Sequence, residues 1–208
     1  MGLVSFLKGL PIDLGQGNRR FDTKGKTIAK ELVPAGGMGK RLLDVGCREG
    51  AQSRAFEALG YRVASIDVDA RYEKCVVCDA NDALPFRDGT FDVVWSSEVI
   101  EHLKDPAAAI REMHRVVRPG GVIVMTTPNS YALYFRLLAL VGLTPRKIQR
   151  RDHLHFFDRG DIDRLCPHAT VFGFLPFTLV RPRIRRMVGV LSPTFVILDR
   201  VGEGASAA

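Results

Sequence analysis

The sequence predicts an α/β fold: a doubly wound, mostly parallel sheet flanked by helices, with an antiparallel edge strand. Two observations predict it. Five short apolar, β-branched runs alternate with helical patterns between residues 24 and 129, the order that builds parallel strands with right-handed crossovers. Two further strand patterns close the chain with helical pattern between them and the fifth, which adds the antiparallel edge. The 208 residues fit one domain. Its parts are a binding core over about 24–129, an insert and lid over about 130–192, and a frayed tail over about 202–208.

The elements follow in order. "KGKTIAKELV" (24–33) is a helix closed by "PAGG", and "RLLDV" (41–45) is the first strand, followed by the turn "GCREG". "GAQSRAFEALG" (50–60) places Ala51, Ala55, Phe56 and Leu59 at helical spacing before a glycine stop. "YRVASID" (61–67) and "CVVCD" (75–79) are strands two and three. Only "VDARYEK" separates them, too few residues for a crossover helix, so a turn is expected there. "FDVVWSS" (91–97) is strand four, with no helical period. "DPAAAIREMHRVVRPGG" (105–121) is a helix with Asp105 as cap, Pro106 in the first position and "RPGG" as its end. "GVIVMTT" (121–127) is strand five. Beyond it come a mixed segment to about 152, a helix "DRGDIDRLC" (158–166), and the strands "ATVFGF" and "TFVILDRV" on either side of the basic stretch "RPRIRRMVGVL".

The net charge of +7 permits an anionic partner without requiring one. The N-terminus lacks a signal-peptide layout, and "YALYFRLLALVGL" (131–143), broken by Arg136, is too short to span a bilayer. Four cysteines are few for this length, which reads as a reduced, cytoplasmic protein. Cys75 and Cys78 form a C-x-x-C, but three residues apart on a strand they point to opposite faces, so no zinc site is expected.

Ligands of an open parallel sheet bind beyond the carboxyl ends of its strands. Those ends carry Asp44 with the turn Gly46–Gly50, then Asp67, Asp79, and Ser96, Ser97 and Glu98. A carboxylate at the end of strand two suits the two hydroxyls of a ribose, because it offers paired acceptors. Gly46 allows close backbone approach. The turn reads G-x-x-x-G and lacks the G-x-G-x-x-G that presents amides to a pyrophosphate, so a nucleoside without phosphates fits better.

"LLDVGCREG", "IDVDA", "CDANDALPFRDGTFDVVWSSEVIEHLKDP" and "EMHRVVRPGGVIVMTTPN" together resemble class I S-adenosylmethionine-dependent methyltransferases, Rossmann-like enzymes, in the group that includes ubiquinone-pathway O-methyltransferases. The likeness is continuous from about 40 to 129 and weaker beyond. It implies S-adenosyl-L-methionine as cofactor. It would place Asp44, Gly46, Cys47 and Gly50 around the amino-acid part, Asp67 and its neighbour Val68 at the ribose, Asp79 with Ala80 at the adenine, and Ser96 near the methionine end. Asp44 has a structural reading as well, as a carboxylate capping nearby loop groups. Arg48 departs from the family, which usually has glycine there. It is tolerable at negative φ with the side chain turned to solvent or to Glu49 or Asp69; positive φ costs on the order of 1 kcal/mol.

Methyl transfer is an in-line displacement, and a hydroxyl acceptor must also lose a proton. "SSEVIEHL" sets Glu98, Glu101 and His102 at i, i+3 and i+4. The same spacing in the ubiquinone-pathway enzymes suggests a divalent metal. The alternative is that Glu98 caps the helical turn while Glu101 and His102 fix neighbouring loops, and no metal ligand is assigned. In "RRDHLHFFDRGDI" (150–162), a histidine of similar enzymes lies over the acceptor pocket. His153 and His155 share a face if that segment is extended, and His153 is the expected general base, with His102 and Glu98 as further catalytic candidates. His114 is expected to be a surface or packing residue.

No Asn/Asp-Pro-Pro-Tyr/Phe follows strand four and no Pro-Cys nucleophile is present, so an O-methyltransferase is favoured by elimination. Over the acceptor side, "YALYFRLLALVGL" joins Arg136, Arg146, Lys147, Arg150 and Arg151, and "TLVRPRIRRMVGVL" repeats the mixture. This suits a small-molecule or lipid-like methyl acceptor and peripheral membrane contact. Nucleic acid is disfavoured because the basic residues lack interleaved aromatics, which leaves an RNA methyltransferase a weaker alternative. A non-catalytic binding or scaffold protein on the same fold is the other. The sequence carries no signal for oligomeric state.

Overall fold

The computed structural model describes residues 23–149, 152–176 and 182–202. The tail beyond Gly202, together with Arg150 and Arg151, lies outside the described residues.

Helix α1 (Lys24–Leu32) opens on Thr23, whose hydroxyl accepts the Lys26 amide. It is followed by β1 (Arg41–Val45), α2 (Ala51–Ala58), β2 (Arg62–Asp67), β3 (Cys75–Val77) and β4 (Phe91–Ser97). A 3-10 turn (Ile100–His102) leads to α3 (Pro106–Val116) and β5 (Val117–Pro128). Next come α4 (Leu133–Leu140), α5 (Pro145–Ile148), α6 (Arg159–Leu165), β6 (Thr170–Phe174), β7 (Arg183–Ile184), α7 (Val188–Leu191) and β8 (Thr194–Arg200). The eight strands form one sheet in the order β3-β2-β1-β4-β5-β8-β6-β7. The first five are parallel, while β8 pairs antiparallel with β5 and β6, and β7 antiparallel with β6.

The period of two along the strands assigns the two layers. Leu43, Val94, Ile123, Met125 and Ile197 face the layer of α3 and α6, against Ala109, Ile110, Met113 and Ile162. Their neighbours Leu42, Val93, Val122, Val124 and Leu198 face α1 and α2, against Ile28, Ala29 and Phe56. A sheet covered on both faces favours apolar residues at most positions, which is why its strands read as near-continuous runs.

Three expectations are corrected. Helix α3 ends at Val116, and β5 begins at Val117 rather than at Gly121. The "RPGG" segment bulges within the strand: the pairing register jumps from Phe91↔Val117 to Val93↔Val122, and Arg118 Nε reaches Asp92 Oδ1 at 2.7 Å. The antiparallel edge holds β7 as well, drawn from the stretch read as a basic connection. Strand β3 stops at Val77, because Asp79 turns to accept the Asn81 amide at 2.9 Å. Between β2 and β3 the chain makes the expected turn, closed by the Cys75 amide on the Tyr72 carbonyl at 2.9 Å. His114 is a packing residue, its Nε2 lying 3.0 Å from Oδ2 of buried Asp199 on β8.

Candidate functional site

The carboxyl ends of β1, β2 and β4 open on a cavity of about 450 Å³, within the range of small-molecule sites. Gly46 makes its floor at φ 78°, and a Cβ there would collide with Val99. Its amide and that of Cys47 both donate to the Ile66 carbonyl, which bends the chain back over β2. Gly50, at φ 75°, closes the turn, and a Cβ there would enter the Tyr72 ring at 2.5 Å. Asp44 is fully buried beneath this turn. Its carboxylate accepts the Ser53 hydroxyl at 2.5 Å, and Ser53 in turn accepts Ser65 at 2.9 Å. Burial pushes the Asp44 carboxyl up to about 6, against the lowering effect of Ser53. Burial likewise raises the Cys47 thiol, so it packs as a neutral side chain. Gly46 lines the cavity; Asp44, Cys47 and Gly50 stand behind its wall.

Asp67 and Asp79 line the cavity from adjacent strand ends, with Val68 and Ala80 beside them. Asp67 already holds the loop: its Oδ2 accepts the Arg48 amide at 2.9 Å and its Oδ1 the Asp69 amide at 3.1 Å. Arg48 sits at φ 49°, the costlier of the two backbones open to it. The hydrogen bond to Asp67 aims the Arg48 amide inward and holds a backbone that a non-glycine residue otherwise avoids. Arg48 lines the cavity and its charge acts on Lys26; Arg71, also in the lining, pairs with Asp69 at 2.7 Å.

At the other end stand Ser97, Glu98, His102 and Lys26. Ser96 is buried between Val45 and Met125, and the next residue, Ser97, reaches the cavity. Glu98 has φ 58°, a second non-glycine residue in the left-handed region. Its amide donates to the Thr126 carbonyl at 2.9 Å, and Thr126 Oγ1 donates back to its carboxylate at 3.0 Å. It lies before the turn and does not cap it. Lys26 was not foreseen. Burial lowers its pKa, Glu98, Glu101 and Asp44 raise it, and Arg48 lowers it. One signal was available in the sequence. A cation in the first turn of a helix faces the positive end of the dipole, which points to a partner elsewhere.

His102 Nδ1 lies 2.9 Å from the Asp152 carbonyl, which fixes the proton on Nδ1 and leaves the lone pair on Nε2. Asp152, also unforeseen, lines the cavity. Glu101 is buried: its backbone carbonyl accepts the Leu154 and His155 amides, and Thr127 donates to Oε2 at 3.0 Å. Its Oε1 has no hydrogen-bond partner, and burial, helped by Glu98, pushes its carboxyl well above the usual range. His153 is buried edge-on against His102 at 4.8 Å, outside the cavity lining. His155 instead stacks on Phe157 at 5.6 Å, so the two histidines do not share a setting. Glu101, His102 and His153 bring one donor atom each within 4.8 Å of one another.

Residues 43–125 match a family described as "Methyltransferase domain". A protein of Thiobacillus denitrificans named "Ubiquinone biosynthesis O-methyltransferase" is 32% identical over 151 residues, 63% of this chain and 64% of its own length. One of the same name from Pseudomonas aeruginosa is 35% identical over 122 residues, 52% of each chain. The chain thus spans between about half and just under two thirds of these relatives. In fold it is similar to an S-adenosylmethionine-dependent methyltransferase from Thermotoga maritima (TM-score 0.66, 16% identity, 85% of this chain and 87% of that one). One from Mesorhizobium loti gives a TM-score of 0.64 at 16% identity, covering 86% and 99%.

Proposed function

We propose that this chain, which belongs through residues 43–125 to the class I S-adenosylmethionine-dependent methyltransferases, transfers a methyl group from that cofactor to a hydroxyl of a small or lipid-like molecule. The observation that carries the reading is the arrangement of charge along one cavity. Asp67 and Asp79 stand at the nucleoside end, for the ribose hydroxyls and the adenine amino group. Lys26 and Glu98 stand at the other, and their opposite charges match the carboxylate and ammonium of a methionine moiety. Asp44 acts through Ser53 by fixing the turn from behind. Gly46 lets the cofactor lie against the backbone.

The reaction forms a bond from the acceptor oxygen to the methyl carbon and breaks the carbon–sulfur bond, leaving S-adenosylhomocysteine. The acceptor's proton goes to Nε2 of His102, the ring nitrogen left basic by the contact to Asp152. His153, the first candidate for this role, here supports the His102 ring edge-on. The elements before and after the turn hold the reactants in line, which supplies much of the rate.

The donor set also fits a divalent cation. A buried carboxylate oxygen without a hydrogen bond is costly, and a cation beside Glu101 Oε1 would satisfy it, with Nε2 of His102 and a nitrogen of His153 as further ligands; it would then occupy the His102 lone pair and take the place of that nitrogen in activating the hydroxyl. A bound cation would polarise the acceptor hydroxyl and lower its pKa. The relatives' name favours oxygen as the methylated atom. The test is calorimetric titration with S-adenosylhomocysteine, followed by label transfer from methyl-labelled cofactor to a long-chain alkyl catechol. Binding with transfer is expected. Absence of binding heat, with no thermal protection, supports a non-catalytic scaffold instead.

A further inference from the structure

Helix α4 is apolar on two opposite sides. Phe135 packs into the protein, while Leu133, Leu137, Leu140 and Val141 fall within about 100° of arc on the other side. They are exposed, Leu140 by 82% and Val141 by 71%. A helix apolar all round is normally buried, so this stripe calls for a partner. Tyr131, exposed just before the helix and tied to it through Arg136, extends the patch.

Charge selects the partner. The stripe is bordered by exposed Arg136, Arg146 and Lys147, and no acidic residue occurs from 113 through 151. The cations are held near the patch: Arg136 Nε donates to the Tyr131 carbonyl at 2.9 Å, and Lys147 Nζ to the Gly142 carbonyl at 3.0 Å. Two copies of so cationic a face would repel each other, which disfavours self-association. An anionic lipid surface offers both an apolar layer for the leucines and phosphates for the cations.

We infer that the outer face of α4 and the basic turn through α5 dock on an anionic lipid interface. The inference deepens the reading of a lipid-like acceptor, on which it rests for its purpose alone. The position serves that purpose. Ser130, just before α4, ties to the segment carrying His153 through its amide on the Phe157 carbonyl at 3.0 Å. Its hydroxyl donates to Gln149 at 2.9 Å, so the docked helix borders the end of the cavity where His102 and Asp152 stand. An acceptor with an alkyl chain would enter from the layer that holds the leucines. No described helix is long and apolar enough to cross a membrane, which agrees with docking in the interface plane.

The test is flotation of the full chain with phosphatidylcholine vesicles, with and without phosphatidylglycerol. Preferential binding to the anionic vesicles, weakened by salt, is expected. Arg146→Gln with Lys147→Gln lowers that partition about 30-fold, and Leu137→Gln with Leu140→Gln about 100-fold. Neither pair changes the affinity for S-adenosylhomocysteine, so loss of docking is distinguished from failure of the methyltransferase reading. If the leucine pair melts the fold, as read from Trp95 fluorescence, the Arg/Lys pair carries the test. Equal binding to both vesicle types, or a dimer in solution that the Leu137 and Leu140 substitutions dissociate, overturns the inference.

Discussion

Asp67→Ala is the substitution on which the nucleoside assignment turns. The carboxylate does two jobs in this structure, because it holds the Arg48 and Asp69 amides and faces the cavity. If it also receives the two ribose hydroxyls, each charge-assisted hydrogen bond is worth about 1.5 kcal/mol at the low end. Together they make about 3 kcal/mol, or roughly a 100-fold weaker affinity for S-adenosylhomocysteine. The competing explanation is that Asp67 only holds the turn, and that the loop relaxes without it. Arg48→Gly separates the two, since glycine adopts φ near 49° freely and preserves the loop without its anchor. Calorimetric titration of the single variants and of the double variant gives the answer. The double variant stays about as weak as Asp67→Ala if the carboxylate touches ribose. Recovery to wild-type affinity on adding Arg48→Gly, or a change of less than about threefold in Asp67→Ala alone, refutes the assignment.

Three further outcomes follow from the same geometry. Arg48→Gly alone relieves a left-handed backbone and raises the melting temperature by about 2–4 °C, on the basis of about 1 kcal/mol; an unchanged or lower temperature in a thermal melt counts against strain at this turn. Lys26→Met weakens S-adenosylhomocysteine binding by at least about tenfold while leaving methylthioadenosine, which has no amino-acid part, unaffected. Equal loss for both ligands in calorimetry places Lys26 elsewhere. Asp44→Asn alters the pH dependence of stability. The folded carboxyl keeps its proton to about pH 6 and the unfolded one to 3.8, so wild-type stability falls as pH rises through that window and the loss persists above it. The shift corresponds to about 3 kcal/mol. Asn retains an acceptor for Ser53 and carries no charge, so chemical denaturation should show the variant gaining on wild type from pH 4 to 7. Parallel profiles contradict a buried, reluctant anion.

The parallel core was legible because its signals are local and redundant. The first four strands are apolar runs that lead into a carboxylate or a glycine turn, and a sheet covered on both faces permits little else. The meeting of Asp67 and Asp79 at one cavity followed, since strand ends converge by topology alone. What the sequence hid depended on contacts between distant segments. Asp152 reaches His102 only because the 150s fold back over the turn after β4, through amides of Leu154 and His155 on the Glu101 carbonyl. Period-two reasoning paired His153 with His155, but the chain there is not a strand, and the two rings face different neighbours. The β5 bulge was missed because "RPGG" is a good helix stop in isolation; it becomes strand only when Arg118 finds Asp92 across the sheet.

The two non-glycine residues at positive φ around the cavity carry the deepest lesson. Arg48 and Glu98 both break a local backbone rule, and both are held by hydrogen bonds to the neighbouring strand: the Arg48 amide donates to Asp67, and Thr126 donates to the Glu98 carboxylate. Strain of this kind persists only where surrounding structure over-determines it, and it gathers where side chains must be aimed. Glycine at either position would ease the backbone and lose a charged group from the cavity. The left-handed turn at Glu98 points its carboxylate at the end where Lys26 stands. The one at Arg48 sets a cation at the cavity next to Asp67, which accepts its amide. Local propensity and site geometry therefore disagree at two of the charged positions that line the cavity, which is where a sequence shaped for ligand binding departs from one shaped for folding alone.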